Sequence, residues 1–88
     1  MAKKTVKIVS MAFDPPSISI SRGDCVCWTN EDGMAHTVTF EVDNPGGNPA
    51  SSGDISPQNS FDAEFQMVGT FEYHCANHPS MKGTVVVS

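Results

Sequence analysis

The chain has 88 residues, 39% of them hydrophobic, and ten acidic against five basic residues give a formal net charge of −5. This length predicts one domain over residues 1–88 with a small hydrophobic core. The acidic balance argues against nucleic acid as a partner. It favours either a cationic partner or a purely solubilising role. No apolar run approaches the roughly 20 residues that a membrane-spanning helix needs.

The three cysteines, Cys25, Cys27 and Cys75, are an odd number and cannot all pair. If Cys25 and Cys27 lie on one strand, their Cα atoms are roughly 6.5–7 Å apart, which is poor for a mutual disulfide. We therefore expect three thiols, which leaves the redox compartment open. The first nine residues lack the apolar segment of a signal peptide, so a signal that has been removed, a sequence that begins after the signal and a cytosolic protein are all open alternatives.

Short β-rich runs separated by turn residues predict an all-β fold of about seven strands, a sandwich or a barrel, without helices. The predicted strands are Thr5–Val9, Ser17–Ser21, Cys25–Thr29, His36–Val42, Phe61–Met67, Phe71–Cys75 and Lys82–Val87. The segment Asp43–Pro57 is rich in Asn, Pro, Gly and Ser and is predicted to be a loop.

Alternation of side chains predicts which face of each strand is buried. Val26 and Trp28 share one face of their strand and are expected in the core, whereas Cys25 and Cys27 share the opposite face. By the same alternation, the run Phe61–Met67 is expected to bury its odd-numbered residues.

Two residues with metal-binding side chains lie at strand ends. His36 begins one predicted strand, on the same face as Val38 and Phe40, and Cys75 ends another strand on its inward face. Antiparallel pairing can bring the start of one strand and the end of another to the same pole of a sandwich. We therefore expect His36 and Cys75 to lie close together.

The segment after this strand adds two further candidate ligands, because Cys75, His78 and Met81 follow one another at intervals of three. Thiolate and thioether ligands select copper, and one cysteine, two histidines and a weak axial methionine are typical of an electron-transfer copper site. Taken singly, these residues are better explained as a buried thiol, a surface histidine and a core methionine. The joint pattern with His36 favours a metal site. Zinc also binds Cys and His, but a thioether is a poor zinc ligand, so copper is preferred.

These motifs resemble those of the cupredoxins: G-D-x-V-x-W, A-H-x-V and G-T-F-E-Y-H-C-x-x-H-P-x-M-x-G-x-V-V-V. The resemblance covers roughly Pro16 to Val87, and the short ligand loop is most similar to the amicyanin branch, with plastocyanin and pseudoazurin as wider relatives. It implies a Greek-key β-sandwich with one type 1 copper ion near one end. Such proteins carry single electrons between redox proteins and catalyse no reaction. The resemblance also implies a periplasmic, lumenal or other extracytoplasmic location.

The resemblance implies a role for each candidate ligand. His36, Cys75 and His78 would be the strong copper ligands and Met81 the weak axial one. The exposed edge of His78 would be the port for electrons. An apolar patch around this port would contain or adjoin Met34, Ala35, Pro79 and Met81. The implied partners are redox proteins, such as a basic c-type cytochrome or a dehydrogenase, and the chain is expected to be a monomer.

The chain departs from the family pattern at two places. Thr37 stands where the family usually has an Asn that braces the ligand loop and helps to hydrogen-bond the thiolate, and a Thr hydroxyl has a shorter reach. Cys25 and Cys27 stand where the family has ordinary strand residues. They are either outward-facing and inert, or they form a second soft-metal contact or an intermolecular disulfide.

Two other function classes are alternatives to an electron carrier. A copper-delivery module without an electron-transfer partner would use the same four ligands, and the Cys25–Cys27 pair is the feature that favours it. An enzyme with Cys75 as nucleophile and His78 as base is disfavoured, because no orienting acid and no substrate cleft are evident.

His74 alternates away from Cys75 and is expected to be a partly exposed strand residue. Several acids are expected either to form a docking patch or to be simply solvated: Glu31, Asp32, Glu41, Asp43 and Asp54.

Overall fold

The computed structural model describes residues 2–40 and 51–88, which form ten short strands and no helix. In chain order the strands are β1 Lys3–Val9, β2 Ala12–Asp14, β3 Ser17–Ile20, β4 Cys25–Asn30, β5 His36–Thr37, β6 Thr39–Phe40, β7 Asp54–Ile55, β8 Ser60–Glu64, β9 Gly69–Cys75 and β10 His78–Val87. The all-β prediction is confirmed, but the predicted number of seven strands is too low. None of the described residues forms a helix that is long and apolar enough to cross a membrane.

The strands form two four-stranded sheets and a small two-stranded one. The first sheet has the order β2-β1-β4-β8 and the second β3-β10-β9-β6, while β5 pairs with β7. Each large sheet contains one parallel pair, β1 with β4 and β10 with β3. The other neighbouring strands in these two sheets pair antiparallel. The chain therefore crosses repeatedly between the sheets, as a β-sandwich requires.

The extra strands arise where long-range pairing divides or extends the predicted ones. The predicted strand His36–Val42 is divided, because β5 pairs with β7 whereas β6 pairs with β9. β7 lies inside the segment predicted as a loop, so that prediction is wrong for Asp54–Ile55. Residues 43–50 of this predicted loop and residues 41–42 of the predicted strand lie outside the described residues.

Alternating side chains from the two sheets build the core. Val26 and Trp28 are fully buried, as predicted, and Trp28 packs edge-on against the ring of Tyr73 with centroids 5.3 Å apart. The alternation predicted for Phe61–Met67 continues inward only as far as Phe65, since Met67 is 43% exposed. The reason is that β8 ends at Glu64 and the backbone hydrogen bonds of Phe65 with Gly23 and Asp24 extend its alternation by only one residue, so Met67 lies beyond this pairing.

Cys25 and Cys27 lie on the outer face of the first sheet, opposite the core residues of β4, as predicted. Cys25 is flanked by Lys3 on β1 and Glu64 on β8, and both thiols are half-buried. All three cysteines of the chain are free thiols. No disulfide framework contributes to this fold.

The turn between β9 and β10 is shorter than predicted. β10 begins at His78 rather than Lys82, and His78 is the antiparallel partner of Cys75 across the two residues Ala76 and Asn77. The register then shifts between His78 and Lys82, which accommodates the additional residues of β10. The strand ends at this pole therefore also position the candidate ligands.

Candidate metal centre

Three of the four predicted ligands converge at one pole of the sandwich. The Sγ atom of Cys75 lies 3.6 Å from Nδ1 of His36 and 3.8 Å from Nδ1 of His78, and the three potential ligand atoms all lie within 4.8 Å of one another. Cys75 and His36 are fully buried, whereas His78 is half-buried. The predicted proximity of His36 and Cys75 is confirmed.

Strand pairing explains this convergence. β6 runs antiparallel to β9, with Thr39 opposite His74, so the chain that enters β6 through β5 passes the end of β9. The backbone N–H of Thr37 consequently donates a hydrogen bond to Cys75 Sγ over 3.4 Å. His36, one residue earlier, is thereby brought against the same sulfur atom.

His78 reaches the site because the turn after Cys75 is tight. Cys75 and His78 face each other as the last residue of β9 and the first of β10. The side chain of Asn77 in this turn donates to Asp54 Oδ1 on β7 over 3.4 Å, which ties the turn to the neighbouring two-stranded sheet. His78 is half-buried and is the member of this group of three that remains partly accessible.

Hydrogen bonds make Cys75 unusually acidic. Burial alone would raise the pKa of this thiol, but the Thr37 amide and the His36 and His78 rings favour the thiolate and lower the pKa from 9.0 to about 6. Since only the thiolate binds metals well, Cys75 is prepared as a ligand at neutral pH. A buried apolar thiol without such contacts would have the opposite shift.

His36 is held from both sides of its ring. Nδ1 faces Cys75, while Nε2 lies 2.9 Å from the carboxylate oxygen Oδ2 of Asp32. Burial opposes protonation of His36, but its contacts with Cys75 and Asp32 raise its pKa above 6.5. The pKa of Asp32 is lowered below 3.8, first by the hydrogen bond from His36 and then by the amides of Gly33 and Met11.

Asp32 contacts a candidate ligand, a role that was not predicted, since the sequence pattern indicated only a docking or solvated acid at this position. The turn just before His36 provided a signal, since Asp and Asn in turns fold their side chains onto nearby groups. Among the other grouped acids, Glu31 pairs with Lys7 at 4.0 Å and Asp54 binds Asn77. Glu41 and Asp43 lie outside the described residues.

Met81 is 4% exposed and belongs to the hydrophobic core, in the part of β10 where the register shifts. It therefore does not contribute to an exposed apolar patch, whereas Met34 is 46% exposed and Pro79 is exposed as well. His74 is half-buried on β9 and is not one of the residues grouped around Cys75.

Comparison with known proteins supports the same kind of site. The family model of copper-binding proteins of the plastocyanin/azurin family matches residues 1–88. The chain is 39% identical to amicyanin-alpha of Methylorubrum extorquens over 83 residues, covering 93% of this chain and 69% of that protein. It is 33% identical to amicyanin of Paracoccus denitrificans, covering 93% of this chain and 63% of that protein. It is 36% identical to plastocyanin of Scenedesmus fuscus, covering 89% of this chain and 88% of that protein.

Solved structures of amicyanin variants have the same fold. A reduced Cu(I) form of a proline-to-glycine variant at pH 4 matches with a TM-score of 0.86 and 32% identity, covering 97% of this chain and 81% of that chain. An oxidised proline-to-alanine variant matches with a TM-score of 0.83 and 30% identity over the same shares of the two chains. Together with the convergence of His36, Cys75 and His78, these matches show that the chain belongs to the plastocyanin/azurin family of copper-binding proteins, the cupredoxins.

Proposed function

We propose that this protein is a small electron carrier that moves single electrons between redox proteins through one type 1 copper ion. His36, Cys75 and His78 are the proposed strong ligands and Met81 the weak axial ligand. The observation that carries this proposal is the group of one sulfur and two nitrogen atoms within 4.8 Å of one another. Two of these three side chains are buried in a rigid strand framework.

The chemistry of the donor set fits copper better than calcium or magnesium. Calcium and magnesium prefer oxygen ligands, and the described residues of this group offer sulfur and imidazole nitrogen instead. The lowered pKa of Cys75, about 6, supplies a thiolate at neutral pH. Copper bound here would supply a one-electron Cu(I)/Cu(II) couple. The strand ends and the tight turn hold the side chains in place, which keeps reorganisation small when the electron moves.

A carrier also fits the site better than an enzyme. Cys75 is fully buried, so a substrate could not reach its sulfur as it would reach a catalytic nucleophile. The half-buried edge of His78 instead offers a short route for an electron to the surface. Electron transfer needs close approach of a partner but no substrate pocket.

Partner, location and assembly follow as further parts of the proposal. The net charge of −5 suits a cationic redox partner, such as a basic c-type cytochrome, and a dehydrogenase is the other partner class. Amicyanins and plastocyanins are the relatives on which we base a periplasmic or lumenal location. We further propose that residues 1–88 act as a single monomeric domain.

Copper delivery is the second candidate function, and the pair Cys25 and Cys27 is the feature that suggested it. Against it, the pKa of Cys27 is raised, mainly by burial and by its hydrogen bond to Asp62, so this thiol stays protonated. A delivery module would release Cu(I) to an acceptor, whereas a carrier holds copper in both oxidation states. Transfer of Cu(I) to a competing chelator, measured alongside electron self-exchange, separates these two functions.

The experiment that tests the main proposal is titration of the metal-free protein with Cu(II), followed by visible absorption. We expect an intense thiolate-to-copper band that saturates at one equivalent and is absent from Cys75→Ser. Thr70→Val, on the exposed face of β9, is the matched control and should retain the band. A colourless complex, or oxidation of the thiol without a band, would contradict the proposal.

A further inference from the structure

The hydroxyl of Thr37 forms two hydrogen bonds beside the candidate metal centre. Thr37 is 4% exposed, and its Oγ1 accepts a hydrogen bond from the backbone N–H of Ala76 over 2.7 Å. The same oxygen shares a second hydrogen bond with Oγ1 of Thr39 over 2.9 Å. Meanwhile the N–H of Thr37 donates to Cys75 Sγ. Thr37 thus contacts both the Cys75 sulfur and the next residue in the chain, Ala76.

The position of Ala76 gives this contact its significance. Ala76 is the first of the two residues that connect Cys75 to His78. A hydrogen bond at its amide therefore restrains the turn between two candidate ligands. No strand partner is available for this amide, because β9 ends at Cys75. The hydroxyl of Thr37 supplies the acceptor instead.

Thr39 completes the arrangement by restraining Thr37. It lies two residues further along the chain, is half-buried, and stands opposite His74 in the pairing of β6 with β9. An isolated hydroxyl can rotate among its rotamers, but a second hydroxyl at 2.9 Å favours the rotamer that faces Ala76. The Thr-x-Thr pattern of residues 37–39 thus holds one oxygen against the turn.

From this geometry we infer that Thr37 and Thr39 act as positioning residues: their paired hydroxyls hold the Ala76–Asn77 turn, beside the backbone N–H of Thr37 that bonds the Cys75 sulfur, in the place of the single Asn side chain usual in the family. This inference rests on the proposed copper site. Groups that orient metal ligands typically change metal affinity 10–100-fold when they are removed. The two threonines are therefore part of what keeps the site rigid, although neither binds the metal.

The test compares Thr37→Val, which keeps the shape and removes the hydroxyl, with Thr37→Ser, Thr39→Val and the control Thr70→Val. Amide hydrogen exchange of Ala76 is measured by NMR in the Cu(I) protein and in the metal-free protein, and copper affinity is measured by competition. We expect about tenfold faster exchange at Ala76 in Thr37→Val, a value near the upper end for one lost hydrogen bond. Copper affinity should fall roughly 10–100-fold. Thr37→Ser should retain most of the slow exchange at Ala76 and most of the copper affinity. Thr39→Val should change both quantities in the same direction as Thr37→Val, but less.

The outcomes separate this inference from the proposed function. If the wild-type protein forms no thiolate-to-copper band, the copper proposal fails, and exchange at Ala76 in the metal-free protein still tests the hydroxyl pair. If the band is present but Thr37→Val matches Thr70→Val in exchange and affinity, the inference is wrong. Should Thr37→Val not fold, the comparison rests on Thr39→Val, and unchanged exchange at Ala76 in that variant overturns the inference.

Discussion

Oδ2 of Asp32 lies 2.9 Å from Nε2 of His36, on the side of the ring that faces away from Cys75. The carboxylate accepts a hydrogen bond from Nε2–H, so Nδ1 is the ring nitrogen that faces the sulfur. Asp32 is itself held by the amides of Met11 and Gly33. Met11 belongs to the turn between β1 and β2, where it has a φ of 61°. A candidate ligand histidine is thereby held by a carboxylate that is fixed in turn from a separate hairpin.

Asp32→Asn should weaken copper binding roughly 10–100-fold, because a neutral amide orients His36 less well than a carboxylate does. Competition with a chelator measures this affinity. Glu31→Gln is the matched control, since Glu31 is the adjacent acid and pairs only with Lys7 at 4.0 Å among the described contacts. Equal affinities of the two variants would show that Asp32 does not orient the ligand.

The contact between Asp32 and His36 predicts that the stability of the metal-free protein depends on pH. The pKa of Asp32 is lowered in the folded protein, first by the hydrogen bond from His36. The contribution of Asp32 to the free energy of unfolding is therefore complete above the unfolded pKa of about 3.9 and is lost as pH falls through the lower folded pKa. His36 is protonated in both states in this range. The stability difference between wild type and Asp32→Asn should therefore shrink as pH decreases from about 5 towards 2. Urea unfolding at several pH values measures it, and a constant difference would contradict the prediction.

The thiolate of Cys75 should be directly observable in the metal-free protein. Ultraviolet absorbance of wild type minus Cys75→Ser isolates this group from Cys25 and Cys27. The difference should titrate with a midpoint of about 6 rather than 9.0, because hydrogen bonds from Thr37, His36 and His78 outweigh the effect of burial. A midpoint near the ordinary value would mean that these groups do not stabilise the thiolate.

Gly83→Ala should be strongly destabilising. Gly83 is the cross-strand partner of Tyr73, and a Cβ at this position would lie 2.3 Å from the Cζ and hydroxyl atoms of the tyrosine ring. Because Tyr73 is fully buried, the ring cannot simply move into solvent. We expect a loss of about 1–3 kcal/mol or more in the free energy of unfolding.

A matched glycine shows whether this loss comes from crowding. A Cβ at Gly33 would meet no atom within 4 Å, so Gly33→Ala should change the free energy of unfolding by no more than about 0.5 kcal/mol. Denaturant unfolding of both variants gives the comparison. Similar losses at the two positions would argue against the contact with Tyr73 as the cause.

The double variant Cys25→Ser/Cys27→Ser should keep the thiolate-to-copper band and a stoichiometry of one copper ion. The reason is that both thiols lie on the outer face of the first sheet, while Cys75 belongs to the second. Metal analysis of the loaded protein measures the stoichiometry. Loss of a second copper equivalent in this variant would instead support the alternative of a second soft-metal contact.

Electron transfer to a basic c-type cytochrome should slow as salt is added. The net charge of −5 attracts a cationic partner, and screening shortens the range of this attraction from about 10 Å at 0.1 M salt to about 3 Å at 1 M. Stopped-flow measurement of the second-order rate constant against ionic strength is the test. An acidic cytochrome serves as the control and should show no such decrease.

The candidate ligands could be predicted from sequence because the signal is local. Cys75, His78 and Met81 lie within seven residues, and spacing with residue chemistry suggests copper without knowledge of the fold. Strand alternation likewise predicted that Cys25 and Cys27 face away from the core. Two predictions failed for different reasons. Met67 is exposed because it lies beyond the end of β8. The strand β7, inside the predicted loop, was missed because its partner β5 is distant in the sequence.

What the sequence determined by itself is therefore the types and spacing of the candidate ligands and the inward faces of the longer strands, since these depend on neighbours along the chain. Only the tertiary structure decided that Asp32 orients His36, that the Thr37 hydroxyl receives the Ala76 amide, and that Cys75 is acidic. The contacts of Thr37 and Cys75 depend on distances between groups brought together by strand pairing, 39 positions apart in the case of Thr37 and Ala76, whereas Asp32 reaches His36, four positions along the chain, across the turn that separates them. Hydrogen bonds act over about 3 Å, so residue spacing in the sequence cannot reveal them.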